Sequence, residues 1–254
     1  MSARRKKKKK SPASYKHRTY RKWIDADGLI SFVVKVRETD LHILATEDMT
    51  DEATRLVLQY RAQLEKYIEE HPRFLASLAP LPNDPRAPGI VKKMIDAADA
   101  ADVGPMAAVA GAVAECVGRD LLSAGAGEIM VENGGDIFLA RKKECRIAIF
   151  AGASPLSNTI GVRIAKARMP LGVCASSGTV GHSLSLGQAD SVTVLAESVC
   201  LADALATRLG NEINDHKGIS RALEIAQTVP GIQGVVIIRD EKIGVWGDIE
   251  LLPL

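Results

Sequence analysis

The chain has 254 residues, 46% of them hydrophobic and only 4% aromatic. That is enough to bury one large core or two modest ones, built from Ala, Val, Ile and Leu. No run of eighteen uncharged apolar residues occurs, which argues against a membrane helix. The net charge of +2 hides an asymmetry: residues 1–22 carry eleven Lys or Arg and no acid, while the rest carries 22 basic and 31 acidic residues, a balance of −9. A nucleic-acid footprint over the whole domain is thereby disfavoured.

The RRKKKKK run, Arg4–Lys10, reads as a solvated tail. Such a run also suits non-specific contact with nucleic acid or anionic membrane. The boundary falls after residue 22, with one α+β domain over 23–254. No apolar signal core follows the basic start, and the four cysteines, Cys116, Cys145, Cys174 and Cys200, form no CxxC. Reduced thiols in a cytoplasmic protein are expected.

Tyr15–Trp23, YKHRTYRKW, reads as an edge strand, with base stacking as its functional alternative. Leu29–Val36 and Leu41–Thr46 read as a hairpin turning near Glu38–Asp40. His42 lies in the second strand without a partner at ligand spacing. Asp51–Glu70 reads as a helix with Leu56, Tyr60, Leu64 and Tyr67 inward and Thr50 as N-cap. Pro80, Pro82, Pro85 and Pro88 mark residues 80–89 as a loop, a connector or a lid. Ile90–Asp99 is a short helix.

Asp102–Leu122 reads as a further helix with Pro105 in its first turn. Its many Ala and Gly residues mean close packing or passage beside a ligand, and its start at Val103–Met106 could accept an anion. Glu128–Leu139 forms two strands about Asn133, Gly134 and Gly135, which permit positive φ. Two readings of the Asn133–Asp136 stretch are open: a plain tight hairpin, or a backbone cradle for phosphate or a flavin edge. Cys145–Ala151, Ile160–Ile164, Leu171–Ala175 and Ser191–Ala196 are strands. Between the last two lies the small-residue loop Ser176–Ser183.

The helix from Val199 buries Leu201, Leu205, Leu209 and Ile213. Asp203 and Thr207, four apart, share another face, and Asn214 extends it. An Asp over a Thr is an oxygen pair suited to Mg²⁺ or Ca²⁺. The same spacing also fits an Asp favouring the positive end of its own helix and a Thr bonding back to the Asp203 carbonyl. Ser220–Thr228 is a short helix. Gly234–Arg239 and Ile243–Trp246 close the chain as a hairpin with Trp246 in the core. Strands interleaved with helices and hairpins make the fold class α+β, with mixed or antiparallel sheets and packed helices.

Three stretches then read together. ENGGDI (Glu132–Ile137), SSGTVGHS (Ser176–Ser183) and ADALAT (Ala202–Thr207) occur in the order seen in ApbE-like proteins, which include FAD:protein FMN transferases. DVGPMAAVAG (Asp102–Gly111) resembles the family's DLGGIAKG segment. The chain is most similar to an archaeal and bacterial branch of the superfamily without an assigned activity. The resemblance implies a flavin or nucleotide (FAD above all) in a groove, with Mg²⁺ at its diphosphate. It implies metal ligands at Asp203 and Thr207 and at a backbone carbonyl near Ala107. It places ligand contacts at Gly104, Met106, Asn133, Gly134, Gly135, Asp136, Ser177, Gly178 and Thr179, with His182 as the catalytic candidate. Ala108 stands where the family has the lysine of IAKG, and the family's His–Ile–x–Asp–Pro is reduced to His182–Ser183–Leu184. The implied chemistry is therefore Mg²⁺-dependent FAD cleavage, or flavin or nucleotidyl transfer to an acceptor other than a protein threonine. A non-catalytic flavin-binding or structural role, and nucleic-acid association through the tail, are the alternatives.

Overall fold

A computed structural model describes Arg21, residues 26–179 and residues 186–254. Eleven strands and six α-helices are found among them. The strands are β1 (Ile30–Val36), β2 (Thr39–Ala45), β3 (Ile129–Asn133), β4 (Asp136–Ala140), β5 (Cys145–Ala148), β6 (Ile160–Ile164), β7 (Leu171–Ser176), β8 (Ser191–Ala196), β9 (Ile232–Arg239), β10 (Lys242–Gly247) and β11 (Glu250–Pro253). The helices are α1 (Thr50–Glu70), α2 (Arg73–Ala76), α3 (Gly89–Ala101), α4 (Val109–Ser123), α5 (Val199–Glu212) and α6 (Lys217–Thr228).

Eight strands form one sheet in the order β1-β2-β3-β4-β7-β8-β9-β10, and three form a second in the order β11-β6-β5. Every pairing in both is antiparallel. The helices cover one face of the large sheet over a core that includes Leu41, Phe138, Val194 and Leu205. The small sheet covers the other face over Leu44, Leu139, Leu171, Val236 and Ile238. The period-2 alternation of β8 shows both loyalties: Val192, Val194 and Ala196 face the helices, and Leu195 faces the small sheet. The α+β reading thus holds, as three layers with the large sheet in the middle.

Several local expectations change. Met49, not Thr50, is the N-cap residue of α1, and the Asp48 carboxylate accepts from the Thr50 amide (3.0 Å) and hydroxyl (2.6 Å). Residues 102–122 do not form one helix. Asp102 takes the left-handed conformation (φ 55) at the end of α3, a 3₁₀ turn spans Pro105–Ala108, and α4 starts at Val109. Glycine at 104 permits this, since a Cβ there would lie 1.8 Å from the Ser77 carbonyl oxygen. α5 ends at Glu212, so Asn214 leaves the Asp203–Thr207 face, and Asn211 takes the next turn instead. Trp246 is half-buried rather than enclosed. The proline-rich loop is a packed connector: Ala87 is buried, and the Tyr67 hydroxyl donates to Asp84 (3.2 Å). Arg21 is not part of a solvated tail, because its guanidinium donates to Glu132 and Asp40, both at 2.6 Å. The remainder of Tyr15–Trp23 lies outside the described residues. No single helix among the described residues is long and apolar enough to cross a membrane.

Candidate functional site

The start of α4, the start of α5 and the Asn133–Asp136 turn meet at one place. α5 begins at Ser198, whose hydroxyl accepts from the Leu201 amide (3.2 Å). Asp203 is therefore past the first turn and does not cap its own helix. Its Oδ2 instead accepts from the Gly111 amide at 2.8 Å, 92 residues away in sequence. That amide is one of the unpaired donors at the start of α4. The contact is close because both helices are bare here: a Cβ on Gly111 would lie 2.6 Å from the Val199 carbonyl oxygen and 2.8 Å from the Asp203 Cβ.

The turn docks on the same helix end. Gly134 (φ 73) and Gly135 (φ 117) form a two-residue hairpin with Asn133 paired to Asp136. The Asn133 amide donates to the Ala110 carbonyl at 3.1 Å. The Gly135 amide donates to Glu132 Oε1 at 3.0 Å, so it is committed within the protein rather than offered to a phosphate. Asp136, the first residue of β4, is opposite Cys174 of β7 and 7% exposed. Its Oδ1 is buried and has no hydrogen-bond partner among the described residues.

Two buried carboxyls therefore lie together. Burial, and then the Asp203 charge, push Asp136 well above the usual carboxyl range. Burial raises Asp203 to about 7, although the Gly111 and Ala110 amides hold it back. What holds Asp136 back is the Cys174 thiol and the Ala175 amide rather than a base. Two acidic groups without a counter-ion among the described residues suit a hard cation and repel a bare phosphate. The residues present thus fit Mg²⁺. The start of α4 is not an open anion site, because Asp203 already occupies it.

The remaining predicted positions sort by distance from this centre. Thr207 is half-buried one turn on from Asp203, and its hydroxyl makes no hydrogen bond among the described residues, so the back-bond to the Asp203 carbonyl is not formed. Ala107 and Met106 are half-buried in the 3₁₀ turn that leads into α4. Gly104 is buried, and a Cβ there would press on the Ser77 backbone. The end of β7 approaches both parts of the site: a Cβ on Gly135 would meet the Ala175 carbonyl oxygen at 3.6 Å, and one on Gly210 would meet Ser176 Oγ at 3.6 Å. Ser177, Gly178 and Thr179 lead away from there. Thr179 donates to Asp190 (3.0 Å), and the Gly178 amide to the Ala189 carbonyl (2.9 Å). Asp190 also receives the Asp240 amide at 2.6 Å, at the rim of an open cleft of about 420 Å³ that includes Ser154 and His216. His182 lies outside the described residues. Ala108 is fully buried, so the position where the family writes lysine belongs here to the core.

Three residues that hold the site were not singled out from sequence. Glu115, 1% exposed, accepts from the amides of Val199 (2.9 Å) and Cys200 (3.3 Å), and from Lys93 and Arg119, both at 2.9 Å. The signal was available: it is the lone acid within the apolar stretch 103–118. Glu132 links Arg21 to the turn. Asn211, one turn on from Thr207 in α5, accepts from the Leu186 amide at 2.8 Å.

The family model described as AbpE bacteria matches residues 21–229. The chain belongs to the ApbE-like superfamily. A UPF0280 protein of Methanococcus aeolicus is 40% identical over 221 residues, covering 85% of this chain and 89% of that protein. A UPF0280 protein of Methanosarcina acetivorans is 38% identical over 217 residues, covering 85% of each. Among solved structures, the apo flavinyl transferase ApbE of Pseudomonas stutzeri aligns with a TM-score of 0.55 at 17% identity, over 86% of this chain and 93% of that one. An ApbE protein of Thermotoga maritima aligns at 0.52 and 13% identity, over 85% and 96%. These likenesses show an ApbE-like fold in the branch of the UPF0280 proteins.

Proposed function

We propose that the chain binds a flavin or nucleotide diphosphate, FAD foremost, together with Mg²⁺, and cleaves or transfers it. The observation that carries this reading is Asp203: a buried carboxylate fixed by the Gly111 amide, with the uncommitted Thr207 hydroxyl one turn away on the same helix. Asp203, Thr207 and the carbonyl at Ala107 would hold the cation. When bound there, the cation would neutralise phosphate oxygens and polarise phosphorus toward attack. The α4–α5 contact orients Asp203, and the Asn133–Ala110 bond holds the Asn133–Asp136 turn beside it. Met106 and the half-buried Ser177–Thr179 strip would border the ligand, and His182 is the group we assign to move a proton at the leaving oxygen.

The acceptor is water or a small metabolite. Flavin binding without turnover is the second reading. The buried thiols supply no covalent route: burial pushes Cys116 up to about 12, and Cys174 and Cys200 well above the ordinary range, so none is a ready nucleophile. Incubation with FAD and Mg²⁺ followed by chromatography separates the two. FMN and AMP formed by the wild type, abolished by Asp203→Asn and reduced by His182→Ala, support cleavage. FAD held for hours without product supports binding alone.

A further inference from the structure

We propose that Asp136 is an inner ligand of the cation, and that the cation is resident: it binds the protein without any diphosphate. This rests on the function proposed above for the place of the site, and goes beyond it in ligand set and order of binding. Asp136 is held by the sheet rather than by a loop, at the first rung of the β4–β7 ladder and directly after the two glycines of the turn. Its backbone position is therefore set before any ligand arrives. Its Oδ1 is enclosed yet bare. The neighbouring Cys174 thiol donates to the Val199 carbonyl (3.4 Å) and also lies against the Asp136 carboxyl, but a thiol is a weak donor and brings no charge to balance the carboxylate. Across the gap, Asp203 spends Oδ2 on the Gly111 amide.

A buried polar atom left bare in a well-packed region calls for a partner, and none of the described residues supplies one. Carboxylate and hydroxyl oxygens select Mg²⁺ or Mn²⁺ over thiolate-seeking metals. Charge decides the order of binding. Mg²⁺ held by one carboxylate leans on substrate phosphates to complete its neutralisation, whereas two carboxylates balance the divalent charge by themselves.

The test uses full-length protein stripped with chelator and free of nucleotide, titrated with Mn²⁺ while the free-ion electron paramagnetic resonance signal is followed. We expect one Mn²⁺ per wild-type chain, and an affinity lowered at least about tenfold in Asp136→Asn, a loss of the size seen when a metal site is perturbed. Asp203→Asn should lose affinity likewise. The cation-free melting temperature of Asp136→Asn should hold or rise, because a bare buried carboxylate has been removed. Asp136→Ser is the second variant, and it should lose Mn²⁺ in the same way. FAD calorimetry on the same samples keeps the two readings apart: Mn²⁺ bound but FAD ignored retires the flavin reading and leaves Asp136 as a ligand. The proposal is overturned if the wild type takes up no Mn²⁺ without nucleotide. It is also overturned if the Asn and Ser variants bind Mn²⁺ as the wild type does, which would mean that the two carboxyls share a proton instead.

Discussion

Glu115 and Asp203 cap each other's helices. Glu115 of α4 accepts from the Val199 and Cys200 amides at the start of α5, and Asp203 of α5 accepts from the Gly111 amide at the start of α4. Each carboxylate meets the positive end of the neighbouring helix, where a negative charge is stabilised. The exchange ties the Asp203 carboxylate to a rigid helix pair rather than to a loop. Among the described residues, only Glu115 of the two is also matched by bases, Lys93 and Arg119. Asp203 is the member left electrically incomplete, and its incompleteness faces Asp136.

Glu115→Ala should therefore loosen the site from behind. It removes a helix cap and leaves two buried amides unpaired, together about 2–3 kcal/mol. A thermal melt should fall by roughly 5–10 °C for a chain of this size. An unchanged melting temperature would mean that the reciprocal caps do not hold α4 against α5.

The glycines of α4 and α5 make opposite predictions. Gly111→Ala forces a methyl group against the Val199 carbonyl and the Asp203 Cβ. It should cost about 1–3 kcal/mol and weaken Mg²⁺-dependent ligand binding, because Asp203 must move. Gly210→Ala meets only Ser176 Oγ at an ordinary 3.6 Å. As an alanine inside a helix it should stabilise by about 0.4–1 kcal/mol. Melts of the two variants side by side check both signs.

The acid pair sets a pH dependence. Asp203 has its folded pKa raised to about 7 from 3.8, and Asp136 is raised as well. Between those values the folded state holds more protons than the unfolded chain, so stability falls as pH rises from about 4 to about 7. His42, whose pKa burial lowers, works in the opposite direction below its ordinary 6.5. The readout is therefore the difference between wild type and Asp136→Asn in denaturant melts with chelator at pH 5 and pH 8. The variant should gain on the wild type as pH rises; a gap that stays constant would remove the pair as its source.

Arg21 stands between Glu132 and Asp40, with the Glu132 side chain 2% exposed. Arg21→Ala removes charge-assisted hydrogen bonds to Glu132 and Asp40, and should cost about 1.5–3 kcal/mol. Because Glu132 also accepts from the Gly135 amide, the Asn133–Asp136 turn should loosen too. Faster amide hydrogen exchange at Gly135 would report it, and a melt and exchange rate like the wild type's would contradict it.

Periodicity made α1, α5 and most of the strands legible, and the two glycines after Asn133 marked the hairpin that carries Asp136. The family motifs brought Asp136, Asp203 and Thr207 into one hypothesis. Three things could not be read. Asp203's partner is an amide 92 residues away, and spacing within one helix says nothing of it. The break at Asp102–Pro105 depends on the Ser77 backbone pressing on Gly104, a tertiary contact that overrides a continuous helical pattern. β11 is four residues long and contains Pro253, so it has no alternation to detect, and its pairing with β6 appears only once the small sheet exists.

The most direct test is calorimetry of FAD binding with Mg²⁺ and with chelator, on wild type and Asp203→Asn, each first shown to be folded by its melt. FAD binding by the wild type should weaken sharply in chelator, and Asp203→Asn should give an equally weak, Mg²⁺-indifferent isotherm. FAD binding that ignores both Mg²⁺ and the substitution, or no binding of FAD, FMN, ADP or ATP by the wild type, would contradict the proposed function.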